Sequence, residues 1–253
     1  MDGHMLLRYI VLTLEVGLTA GLIFWMRSST RGVPISWKHI FKILVAGGAI
    51  ALIAALVTIK YSFNISALQE TEAPLVENYK GWLIFINVIG ASTVEELAKY
   101  TVGVFFLVSN RKARRLSDII ASMIMVGLGF SLVEDVLYLM TTDAVPTYRL
   151  LSFYLHSGTS AIMGYALGRF HFGLAGYREL IRSLFSAIAL HCVYNLSLNL
   201  EGTTLPLYLA LGVTLFISLQ IFILFRKTLE EEYDMIRTSE RKKPQVTTKL
   251  LNL

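Results

Sequence analysis

The chain gathers its apolar residues into runs of roughly 20, the length that an α-helix rising 1.5 Å per residue needs to cross about 30 Å of hydrocarbon. Seven such runs are read along the 253 residues: Leu6–Met26, Phe41–Ile59, Gly81–Val108, Leu116–Met140, Leu150–Phe170, Leu180–Leu200 and Leu205–Phe225. They are continuous and lack the strict alternation of a barrel strand, and a lipid-exposed backbone must satisfy its own hydrogen bonds, so helices are expected throughout. Composition agrees, with 55% hydrophobic and only 16% charged residues, where a soluble domain carries about 25% charged. The expectation is an all-α, polytopic transmembrane helix bundle in a bacterial or archaeal cytoplasmic membrane.

One cysteine, Cys192, excludes an internal disulfide framework and any Cys-rich metal cluster. The net charge of +5 needs no nucleic-acid partner, because the basic residues sit in short loops where topology explains them. Arg27, Arg31 and Lys38, then Arg111, Lys112, Arg114 and Arg115, then Arg169, Arg178 and Arg182, then Arg226 and Lys227 alternate with an acidic set. That set holds Glu70, Glu72 and Glu77, then Asp143, then Glu201, with only Lys60, Lys80 and Arg149 among them. Basic loops stay cytoplasmic, which predicts the N-terminus outside and the C-terminus inside.

Residues 1–226 are expected to form a single membrane domain with its motif core at 80–200, followed by a charged cytoplasmic tail, 227–253. The opening Met1–Met5 is set aside as a remnant, and the first span, lacking a small-residue cleavage site, is expected to remain as an anchor. The last helix is expected to run on briefly past Lys227 and then fray, and the polar connection Tyr61–Lys80 is read as a short surface helix or a cap.

Ionisable residues inside these spans mark a functional site by default, because each is costly in lipid. The third span contains Glu95, Glu96 and Lys99, the fourth Glu134 and Asp135, the fifth His156, and the sixth His191 and Asn195. Glu95 lies about 14 residues from the outer end of its span, near mid-depth at 1.5 Å per residue, and the others lie about 5–9 residues in, so a shared, water-accessible cavity is expected. Glu95 with Lys99, and His191 with Asn195, are four apart and share a face, whereas Glu96 is turned about 100° from Glu95. One glutamate is thus expected to face the cavity and the other to hold the helix. His156, Ser160, Gly164 and Gly168 form a ladder of small residues that lets a neighbouring helix approach. His39 and His171 lie beside basic residues and are read as solvated.

Two carboxylates and two histidines around a wet pocket suit activation of water for amide hydrolysis without a covalent intermediate. No His-Glu-x-x-His occurs, Gly129-Phe-Ser131-Leu lacks the second glycine of a serine-nucleophile turn, and Asp135 has no second aspartate in another span. A proton- or ion-coupled transporter with a Glu/His relay is the main alternative, disfavoured by the absence of an internal repeat; a non-catalytic membrane binding protein is another.

Glu95-Glu96-x-x-Lys99, Phe130-x-x-x-Glu134, His156 with Gly164, and His191-x-x-x-Asn195, in that order on successive helices, resemble the PrsW family of membrane proteases, relatives of the CAAX prenyl proteases and the Abi group. The resemblance covers about residues 80–200. It implies cleavage of a membrane-anchored protein, such as an anti-sigma factor, near the extracytoplasmic side. By motif, Glu95 activates water, Glu134 stands where the CAAX branch has a histidine, and His191 with Asn195 stabilises the oxyanion. A zinc ion held by Glu95 or Glu96, Glu134, His156 and His191 is compatible with this set, as is a metal-free glutamate mechanism.

The loop pattern makes a direct prediction. With Cys192 replaced and a single cysteine placed at position 113, a membrane-impermeant maleimide labels intact cells only after permeabilisation; labelling from outside overturns the orientation.

Overall fold

A computed structural model describes residues 3–30, 35–71, 80–105, 115–141, 149–198 and 205–242. Seven helices carry these residues: α1 (Gly3–Ser29), α2 (Trp37–Thr71), α3 (Lys80–Gly103), α4 (Leu116–Thr141), α5 (Arg149–His171), α6 (Tyr177–Leu198) and α7 (Leu205–Lys242). Each expected span coincides with one helix, and among the described residues there is no strand. The residues Arg31, Glu72, Glu77, Arg111, Lys112, Arg114, Asp143 and Glu201, together with the tail from Lys243 onward, fall outside the described set.

Three boundaries differ from expectation. α1 begins at Gly3, within the stretch set aside as a remnant. No separate surface helix starts at Tyr61; α2 continues unbroken to Thr71. α7 runs well past Lys227 to Lys242, because its extension has partners. Tyr165 donates to Glu231 at 2.8 Å, Arg169 pairs with the same carboxylate, and Glu232 accepts the backbone N–H of Ser117 at 3.0 Å. Glu232 thereby places a negative charge on the otherwise unsatisfied amino end of α4.

α4 lies at the centre, with 83% of its most apolar window buried. Glycines bring its neighbours onto it from two sides. A Cβ on Gly47 of α2 would strike the Val126 carbonyl, and one on Gly129 would strike that of Leu44. Toward α5, a Cβ on Gly127 would strike the His156 carbonyl, and one on Gly164 would come within 2.7 Å of the Met123 Cβ. The small-residue ladder of α5 is therefore where α4 docks, as its spacing predicts. The two helices lie antiparallel along their whole length, from Gly168 against Leu116 to Ser152 against Asp135.

Six helices are long and apolar enough to cross a membrane by composition; α5 is not among them. Its polarity has a physical reason. Ser152, His156, Ser157, Thr159 and Ser160 are all buried within the bundle, so α5 meets protein and needs little lipophilicity. It ends in a tight turn to α6, where Gly173 takes φ +71° and the Leu174 N–H closes on the Arg169 carbonyl at 2.8 Å.

Glycine's role divides sharply along this fold. Gly17 and Gly21 of α1 have open space at Cβ, so alanine there leaves the unfolding midpoint in detergent unchanged or slightly raised. Gly127→Val forces α4 off α5 and is expected to lower stability by about 3 kcal/mol or more. Equal thermal stability of G127V and G17A overturns this assignment.

Candidate active site

Four helices contribute. From α3 come Ser92, Glu95, Glu96 and Lys99, from α4 Glu134, from α5 His156 and Thr159, and from α6 His191 and Asn195. Glu96 is the hub. Its Oε1 receives Lys99 Nζ at 2.6 Å, Thr159 Oγ1 at 3.2 Å and the ring of His191 through Nδ1 at 2.7 Å. All four side chains are buried. A carboxylate withdrawn from solvent needs such donors, and here all three converge on one oxygen while Oε2 accepts no hydrogen bond among the described residues.

Lys99 points into the same junction. It pairs with Glu96, three residues earlier, where the spacing also allowed Glu95, four residues earlier; both positions lie on its face of the helix. Its other neighbours are Thr159 Oγ1 and His156 Nδ1, each at 3.2 Å, and its ammonium lies 5.2 Å from the Phe130 ring centre. An ammonium offers hydrogens and no lone pair. His156 Nδ1 therefore accepts, leaving the ring's hydrogen on Nε2, which lies 2.6 Å from Glu134 Oε2.

His191 is set the opposite way. Its Nδ1 gives a hydrogen to Glu96, and its Nε2 faces Glu95 Oε2 at 3.5 Å. The two imidazoles meet edge to face, with centroids 5.2 Å apart, and Phe130 lies against His156 at 5.1 Å. Glu95 and Glu134 are the carboxylates with access to solvent, at 15% and 30% side-chain exposure. The glutamate pair thus divides as the helical phase predicts, Glu95 partly exposed and Glu96 buried in the packing. Asn195, one turn from His191, donates to Ser92 Oγ at 3.3 Å.

The donor set fits a divalent metal. Glu95, His156 and His191 each present a ligand atom within 4.8 Å of the others, and Glu95 Oε2 accepts no hydrogen bond among the described residues. Two imidazoles with a carboxylate are borderline-to-hard donors of the kind that catalytic zinc takes.

Some buried polar residues escaped the sequence reading. Glu15 of α1 is fully buried and accepts Ser131 Oγ at 2.8 Å. Ser131 stands 3.5 Å from Ser152, which donates to Asp135 at 3.0 Å. This network ties α1, α4 and α5 together one turn from His156. A lone acid midway along an apolar run was the available signal. Asp135 belongs to this clasp and not to the Glu134 junction, and His39, expected to be solvated, stands 3.5 Å from Ser122 of α4.

Comparison with known proteins adds one match. A family model described as PrsW family intramembrane metalloprotease matches residues 35–224. No curated protein and no solved structure matches the chain.

Removing one member of a buried ion pair strands the other and costs about 3–5 kcal/mol. Lys99→Met and Glu96→Gln are each expected to lower thermal stability by that order, and the double variant to lose less than the sum. Additive losses in this double-mutant cycle overturn the hub.

Proposed function

Since the chain belongs to the PrsW family of intramembrane metalloproteases and is a membrane protease, we propose that it hydrolyses a peptide bond of a membrane-anchored protein at the junction of Glu95, Glu134, His156 and His191. One observation carries the reading: α3, α5 and α6 bring Glu95, His156 and His191 to within 4.8 Å of one another, with Glu134 2.6 Å from His156. With basic loops cytoplasmic, the junction opens toward the outer half of the bilayer. A single-span protein such as an anti-sigma factor, cut near its extracytoplasmic side, fits that position.

Glu95, His156 and His191 would hold the metal. When bound, it supplies Lewis acidity, polarising the scissile carbonyl and acidifying a water. The chain's own residues handle the hydrogens. Glu96 holds the hydrogen of His191 Nδ1, so Nε2 is the nitrogen His191 would offer. Glu134, the more exposed of the two carboxylates, would be the route by which the site exchanges protons with water.

In hydrolysis, Glu134 takes the proton of the attacking water as its oxygen bonds to the carbonyl carbon, and returns it to the leaving amine as the oxyanion collapses and the C–N bond breaks. This moves proton transfer from Glu95, to which the family resemblance gave it, to the more exposed carboxylate. Asn195, one turn from His191, would donate an amide hydrogen to the oxyanion in place of Ser92 Oγ. Glu96, Lys99 and Thr159 position the two imidazoles without touching substrate.

The variants separate these roles. Cells producing the wild-type chain, Glu95→Gln or Glu134→Gln are compared by profiling new protein N-termini, and the purified proteins by elemental analysis. Glu95→Gln is expected to lose both metal and cleavage, and Glu134→Gln to keep the metal while cleavage falls about 100-fold or more. Full cleavage by metal-stripped protein, or cleavage unaffected in Glu134→Gln, ends the scheme.

A further inference from the structure

α6 and α7 close on each other around a small core of Leu155, Tyr194, Ala210 and Ile217. Beside that core a groove of about 570 Å³ opens between them, from the level of Val193 and Phe216 to that of Arg182 and Leu224. Its floor is α5, through Ile162, Tyr165 and Ala166. Along α6 from Arg182 to Val193 the groove measures about 16 Å at 1.5 Å per residue, roughly half of a 30 Å hydrocarbon core. Those dimensions are those of a single leaflet, so a helix crossing the whole bilayer would leave half of itself outside.

The charge at the mouth names the occupant. Arg169 is satisfied there, taken up by Glu179 at 3.0 Å and by Glu231, and Lys227 lies 5.4 Å from the Tyr165 ring centre. Arg178 and Arg182 are exposed and have no carboxylate partner among the described residues. Two unmatched guanidinium groups thus stand where an apolar, leaflet-deep groove meets the membrane surface. Basic pockets between membrane helices on the cytoplasmic side hold anionic headgroups, and guanidinium is the side chain best shaped for phosphate.

We propose that this groove binds one anionic glycerophospholipid, an acyl chain lying between α6 and α7 and the phosphate headgroup on Arg178 and Arg182. The site is separate from the catalytic junction, although it braces α6, the helix that carries His191.

The test uses the full chain in nanodiscs of phosphatidylcholine and phosphatidylglycerol in equal amounts, with lipids retained after ejection counted by native mass spectrometry. Wild type is expected to retain phosphatidylglycerol in preference. Each of Arg178→Gln and Arg182→Gln is expected to lower that preference about fivefold, following the contribution of one basic residue near a charged surface. Lys42→Gln, an exposed basic residue on α2, is the control and leaves it unchanged. Ser186→Phe, on the α6 wall of the groove, is expected to remove the retained lipid whatever its headgroup. Equal retention of the two lipids by wild type, indifference to both arginine substitutions, or an equal loss with Lys42→Gln overturns the site. Should Ser186→Phe fail to fold, the arginine variants decide alone.

Discussion

A carboxylate buried among helices has to be surrounded by donors, and at Glu96 that requirement draws three helices to one point. Lys99 comes from its own helix, Thr159 from α5 and His191 from α6. Without them the charge would cost several kcal/mol; with them it fixes the rotation of α3, α5 and α6 about their axes. The rest of the site inherits that rotation. Glu95 is turned out of the packing because Glu96 faces in, and His191 and His156 each have one nitrogen held at this junction, by Glu96 and Lys99, while the other faces Glu95 or Glu134.

Close backbone approach is the second condition. The His156 carbonyl lies where a Cβ on residue 127 would be, so α4 can rest on α5 only through glycine. That contact brings Glu134, two turns along α4 from Gly127, to within 2.6 Å of His156. The glycine seam and the polar junction therefore support each other: the seam sets the distance between two helices, and the hydrogen bonds set the register.

Much of this was legible in the residues. Hydrocarbon thickness dictates run length, so seven runs give seven helices, and the 100° phase between neighbours separates Glu95 from Glu96 before any coordinates. Other features were illegible for stated physical causes. Lys99 shares a face with positions three and four residues away, and only the packing of α5 decides for Glu96. Glu15 stands alone in α1, and its partners Ser131 and Ser152 are residues that any span may carry. The lengths of α2 and α7 follow from what lies beyond the apolar run, and in α7 from Glu231 and Glu232 finding Tyr165, Arg169 and the start of α4. The match to the protease family starts after α1, so the Glu15 clasp attaches a helix that the family comparison does not include.

The polarity of α5 bears on how the protein is made. A segment with so many hydroxyls and a histidine gains little by entering lipid alone, yet it lies antiparallel to α4 along its full length and must cross with it. Its insertion is then a property of the assembled neighbours: α4, already in the bilayer, offers the hydrogen-bonding surface and the glycine seam that make the crossing favourable. The helix bearing His156 is thus favoured in the membrane with its partners around it, and the Glu96 junction forms as α5 takes its place against α4.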